Sequence, residues 1–98
     1  MAIYLISYDL HGESAESEEY KKLIRTIEGL SKGAPACHLQ YSAWLVSYPG
    51  ELVDIYNKLI APLPVKGELF ICEVTKDHMH FILDKKVKKW AEAHLPPK

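Results

Sequence analysis

The sequence predicts an α+β sandwich, an antiparallel sheet with two helices packed on one face. Three observations point there. The chain opens on an apolar run, Ile3 to Tyr8, with the character of a buried strand. Two later segments, around Leu23 and Ile55, repeat apolar residues at helical spacing. The stretches between and after them are rich in strand formers, so strand and helix alternate along the chain.

The first strand is expected over residues 2–9. Side chains alternate across a strand, so Ile3 and Leu5 share one face and Tyr4, Ile6 and Tyr8 the other. Both faces are apolar or aromatic, which marks a central strand covered on both sides. After the polar loop from Leu10 to Ser14, Tyr20, Leu23, Ile24, Ile27 and Leu30 form one helical stripe. Glu16, Glu18 and Glu19 crowd its first turn, and Lys21, Lys22 and Arg25 follow, the order the helix dipole favours. Gly29 costs about 1 kcal/mol there relative to Ala, which implies close packing or an early end. Lys32-Gly33-Ala34-Pro35 terminates the helix.

In residues 36–48, alternation puts Cys37, Leu39 and Tyr41 on one face. After a phase change near Ser42 it selects Trp44, Val46 and Tyr48, the pattern of two short strands or of one strand bent by a bulge. Pro49-Gly50 opens a second helix with Leu52, Ile55, Tyr56, Leu59 and Ile60 as its stripe, stopped by Pro62. Glu68 to Val74 is a further strand, and Asp84 to His94 a short third helix with Val87, Trp90, Ala91 and His94 on one face. This order matches a ferredoxin-like sandwich in one domain, residues 1–98, with a short C-terminal helix added. The sheet face away from the two helices cannot stay bare if it carries Tyr4, Tyr8 or Trp44, and a homodimer interface is the expected cover.

Of the 98 residues, 48% are hydrophobic and 26% charged, an ordinary globular balance. A formal net charge of −1 argues against a strongly basic nucleic-acid binder and leaves room only for a local basic patch. Cys37 and Cys72 lie far apart in apolar runs, as buried thiols of a cytoplasmic protein would. No apolar stretch approaches the roughly 20 residues a membrane span needs, and the N-terminus lacks the charged region and cleavage site of a leader.

Asp9 is the first candidate for chemistry. A buried strand holds its last residue at a defined position, where functional groups on rigid scaffolds are often found; the alternative is a carboxylate that caps the following turn. His11 shares the parity of Asp9, and Glu13 follows, the latter more simply a solvated loop charge. Mg²⁺ or Mn²⁺ takes oxygen ligands, and one Asp per chain is too few for a tight site. Two copies of Asp9 across a two-fold axis would supply two carboxylates for an ion acting as Lewis acid on a phosphodiester. His78 and His80 beside Asp77 form a His-x-His pair able to bind zinc, but no third close ligand is legible, and surface histidines are the simpler reading. Lys85, Lys86, Lys88 and Lys89 cluster around Trp90; Lys85, Lys88 and Lys89 are the candidate phosphate contacts, with the indole available to stack on a base. The competing reading is a solvated helix face with Trp90 in the apolar stripe. There is no glycine-rich phosphate loop, and Glu68-Leu69-Phe70-Ile71 lacks the aromatics of an RNA-recognition strand.

Tyr4-Leu5-Ile6-Ser7-Tyr8-Asp9-Leu10, then a helix, then Leu39-Gln40-Tyr41-Ser42-Ala43-Trp44-Leu45-Val46, resembles the superfamily of small CRISPR-associated spacer-acquisition proteins, with its VapD-like toxins and SinR-like proteins. The similarity covers roughly residues 2 to 75, and the part around Trp90 is most similar to the SinR-like branch. The resemblance implies a ferredoxin-like protomer and a homodimer. In nuclease members the strand-end Asp, here Asp9, meets its symmetry mate around a divalent metal, and the Ser of the Gln-x-Ser segment, here Ser42, lies near the dimer centre. Other members hold DNA without cleaving it. The loop His11-Gly12-Glu13-Ser14 lacks the arginines that follow the Asp in nuclease members. The expectation is a homodimeric, Mg²⁺- or Mn²⁺-dependent nuclease acting on RNA or DNA, with Asp9 as metal ligand and Ser42 and His11 assisting. The alternative is a non-catalytic dimeric module that binds nucleic acid or a protein in a phage-defence, toxin–antitoxin or mobile-element setting.

Overall fold

Each run of alternating apolar residues forms a strand, and each helical stripe a helix. The computed structural model describes residues 1–10, 17–40, 42–61, 67–75 and 85–96. Along the chain lie β1 (Ala2–Leu10), α1 (Glu18–Leu30), β2 (Cys37–Gln40), β3 (Ala43–Tyr48), α2 (Leu52–Ile60), β4 (Gly67–Glu73) and α3 (Lys85–His94). The sheet order is β2-β3-β1-β4, and every neighbouring pair is antiparallel. α1 joins two strands separated by β3, and α2 joins two separated by β1. This doubly split β-α-β arrangement is that of a ferredoxin-like α+β sandwich.

Local chemistry sets the element ends. The Ser17 side chain accepts from the Tyr20 amide at 3.3 Å, capping α1, with Glu18 and Glu19 in the first turn. Past its last residue, the Ser31 hydroxyl donates to the Ala34 carbonyl at 2.8 Å and accepts from the Ser47 amide at 3.0 Å. The Lys32 amide donates to the Ser47 carbonyl at 2.6 Å, so the end of α1 is tied to β3. Gly33 takes the turn with φ of 76°, a conformation that favours glycine. The break near Ser42 resolves into two strands, β2 and β3, whose register shifts between His38 and Gln40. At the start of α2 the Asp54 carboxylate accepts from the Glu51 amide at 3.3 Å.

The two faces of the sheet carry two cores. Tyr4, Ile6, Tyr8 and Leu10 of β1 and Trp44, Val46 and Tyr48 of β3 pack beneath Leu23, Ile27 and Leu30 of α1 and Ile55 and Leu59 of α2. Ile3, Cys37 and Leu45 on the opposite face pack against Val87, Ala91 and Leu95, so α3 covers part of that face.

Three expectations are corrected. Tyr4, Tyr8 and Trp44 face the helices, and α3 of the same chain covers part of the other face. The α2 stripe is narrower than the spacing implied: Ile55 and Leu59 are fully buried, whereas Leu52, Tyr56 and Ile60 are exposed. The reason is position, because α2 has α1 on one flank only. Gly29 is not in close packing, since a Cβ there would meet nothing within 4 Å; of the two readings its place fits the helix end, because α1 stops at Leu30. Glu16, Tyr41, Pro62 and Asp84 lie outside the described residues. No helix among the described residues is long and apolar enough to cross a membrane.

Candidate functional site

The end of β1 is held from beneath. The Trp44 indole N–H donates to the Tyr8 hydroxyl at 3.1 Å in the core, and the Tyr8 and Tyr20 rings meet at 5.9 Å with a 55° tilt. The Tyr20 hydroxyl in turn accepts from the Leu10 amide at 3.3 Å. Residues 8 and 10 are thus locked on the helix side, and alternation turns Asp9 to the opposite side, where it is exposed.

On that side the register sets Asp9 opposite Glu68 and Ser7 opposite Phe70. Two carboxylates directly across an antiparallel pair repel, typically by about 0.2–1 kcal/mol. An open-sided concavity of about 340 Å³ is lined by Ser7, Tyr8, Asp9, Glu68, Leu69 and Phe70. On the other edge of β1, the Ser42 carbonyl accepts from the Tyr8 amide at 3.1 Å. Ser42 and Glu68 therefore flank the strand end from opposite sides. Ser42 thus stands beside Tyr8, one residue before Asp9, and the residue opposite Asp9 is Glu68.

Asp9 and Glu68 are oxygen donors of the kind a hard divalent cation takes. Among the described residues no group of three or more His, Cys, Asp or Glu side chains is placed to hold a metal ion. The described part of one chain thus offers two carboxylates at this strand end. His11 and Glu13, and the Asp77, His78 and His80 group, lie outside the described residues.

Lys85, Lys88 and Lys89 are exposed on α3. α3 packs over Ile3, on the same side of the sheet as Asp9. Ile3 and Asp9 are six residues apart on one strand, about 20 Å at ~3.3 Å per residue. The Trp90 indole is committed to the fold: its N–H donates to the Pro35 carbonyl at 2.9 Å, and its ring meets His94 at 4.8 Å.

No family model and no curated protein matches the chain.

Glu68 and Phe70 escaped the sequence reading because their relation to Asp9 is one of register. Parity assigns each strand two faces, but which face of β4 meets which face of β1 depends on the strand pairing. The one available signal was a carboxylate at the start of a strand antiparallel to the strand that ends on Asp9.

Proposed function

We propose that the protein is a homodimeric, metal-dependent nuclease-like protein acting on RNA or DNA phosphodiesters. The observation that carries this reading is the opposition of Asp9 and Glu68 on an open sheet face, at a strand end locked by the Trp44–Tyr8–Tyr20 chain. Asp9 and Glu68 would hold Mg²⁺ or Mn²⁺. Such an ion supplies Lewis-acid stabilisation to a phosphate under attack. Lys85, Lys88 and Lys89 sit on the same side of the sheet, where they neutralise phosphates of a strand reaching toward Asp9. A span of ~20 Å corresponds to about six base steps of duplex rise. Ser42 lies beside the strand end as a polar neighbour of the substrate. Kinship to the superfamily belongs to the same proposal and rests on the Tyr8-Asp9 and Gln40-Tyr41-Ser42 segments, and kinship to its SinR-like branch on the part around Trp90.

Phe70 favours a second reading. It is 62% exposed inside the concavity that contains Asp9, as a contact residue of a non-catalytic module that binds nucleic acid or a protein would be.

One experiment separates the two. Purified protein is incubated with single- and double-stranded RNA and DNA in Mg²⁺, Mn²⁺ or EDTA, beside Asp9→Asn and Glu68→Gln. The nuclease reading expects metal-dependent cleavage that both changes abolish, and a rise in Tm with metal that both remove. At a hundredfold excess over Kd the ion would add about 2.7 kcal/mol of stability. Neither cleavage nor a metal-dependent Tm shift in the wild type would leave the binding-module reading.

A further inference from the structure

The three helices differ in how their charges meet the helix dipole. α1 begins on Glu18 and Glu19, and α2 carries Asp54 in its first turn and Lys58 in its last, the arrangement the dipole favours. α3 is reversed. Its first turn holds no acidic residue and is built on Lys85, Lys86 and Lys88, with Lys89 following. Its one carboxylate, Glu92, lies near the far end, and only His94 sits where the dipole favours a cation. In the sequence, Asp84 just before the helix sets one negative charge against the four lysines; it lies outside the described residues. Helical spacing also pairs like charges, Lys85 with Lys88 and Lys89, and Lys86 with Lys89, and each such pair is destabilising.

What holds α3 down is thin. Val87 and Ala91, with Leu95 just after the helix, cover Ile3, Cys37 and Leu45 of the sheet. The Trp90 indole adds its hydrogen bond to the Pro35 carbonyl. Elements with few buried apolar contacts open at a lower free energy than the whole molecule. A helix of ten residues is marginal in water by itself, so α3 off the sheet loses its helix and spreads its lysines. Beneath it lies the Cys37 thiol, 7% exposed, which reports any such opening.

We propose that α3 is a strap whose seating on the sheet is controlled by the phosphate chain of a bound nucleic acid. Without that chain the lysines repel one another, and α3 lifts while the core beneath α1 and α2 stays folded. A phosphate chain along Lys85, Lys88 and Lys89 supplies the negative charge that the first turn lacks. Only the seated helix gathers these lysines into one row, so the chain binds the seated state better and shifts the population toward it. Nucleic acid thereby assembles its own row of phosphate contacts on the side of the sheet that bears Asp9. The identity of the anion rests on the nucleic-acid reading above; the lifting of α3 does not.

The test is the rate at which a thiol reagent labels Cys37 in Cys72→Ser protein, where it is the one thiol left, in EDTA so that no strand is cut. Labelling is repeated with oligothymidylate added, and in a variant that also carries Lys85→Glu and Lys86→Glu, both at exposed positions. Urea denaturation of each protein gives the global stability against which the rates are read. Cys37 should react at least about tenfold faster than global unfolding allows, and oligothymidylate should slow it about tenfold. The two glutamates turn the repulsive pairs into attractive ones and give the dipole its acidic first turn. In that variant Cys37 should react about tenfold more slowly than in the parent, and oligothymidylate should slow it no further.

Labelling at the rate of global unfolding would overturn the proposal, because α3 would then leave only with the core. So would a glutamate variant that labels as fast as its parent. Fast labelling that oligothymidylate leaves unchanged would overturn the control by nucleic acid. Cleavage is not read at any point, so protection by oligothymidylate in a protein without nuclease activity would still support the strap.

Discussion

Among the described residues, the sheet face beneath α1 and α2 is sealed by two helices, whereas the face beneath α3 is covered at one end only. The sealed face pairs its polar atoms: the Trp44 N–H donates to the Tyr8 hydroxyl and the Leu10 amide to the Tyr20 hydroxyl, with the two tyrosine rings in contact between them. The other face rests on Val87 and Ala91 of one short helix and Leu95 just after it, and leaves Asp9, Glu68 and Phe70 exposed. The difference shows a division of labour. Rigidity is built on one side of β1 and displayed on the other, because alternation gives consecutive residues to opposite faces.

The largest expected effect tests this asymmetry directly. Ile27→Ala, at a fully buried α1 position under the sealed face, should cost about 2–5 kcal/mol by urea denaturation. Val87→Ala, on α3, should cost about 2 kcal/mol or less, since it removes two methyl groups from a thinner layer. Equal losses would mean that the two faces contribute alike, and the contrast would fail.

A smaller effect reads the sealed face through a titration. Burial first, then the charges of Glu73, Glu51 and Asp54, hold the Tyr4 hydroxyl above the usual phenol range. The unfolded chain therefore gives up this proton at lower pH than the folded one. Stability from this group is complete below about pH 10 and falls as pH rises beyond it. Tyr4→Phe should remove that alkaline decline while costing about 1 kcal/mol near neutrality, because the hydroxyl donates to the Gly50 carbonyl at 3.0 Å. An unchanged alkaline limb in the variant would show that other groups govern it.

The smallest effect is a gain. Gly29 sits in the last turn of α1 with open space where a Cβ would be, so Gly29→Ala should stabilise by about 0.5 kcal/mol, below the ~1 kcal/mol of a helix interior. It touches the roof of the sealed face without touching its packing, and thermal melting measures the difference.

Local signals carried most of the fold. β1, α1 and the break between β2 and β3 were legible because periodicity and turn residues lie within the segments concerned. What escaped was relational. Tyr8 and Trp44 announced an apolar face but not that it belongs to the helices, since either face of a strand can point either way. Leu52, Tyr56 and Ile60 read as core because helical spacing reports a stripe and not whether anything lies opposite. Asp9 was visible as a strand-end carboxylate, whereas Glu68 joined it only through the β1–β4 register.

The chain's two tryptophans fall on opposite sides of this sheet, Trp44 in the sealed core and Trp90 on α3. The imidazole of His38 lies on the Trp44 ring at 4.4 Å and within 5° of parallel, a contact that Trp90 does not share. Trp90 is only partly buried, and its N–H is tied to Pro35. Each layer of the molecule therefore carries its own optical signature. With one tryptophan at a time replaced by phenylalanine, fluorescence shows whether α3 leaves the sheet before the core opens or with it.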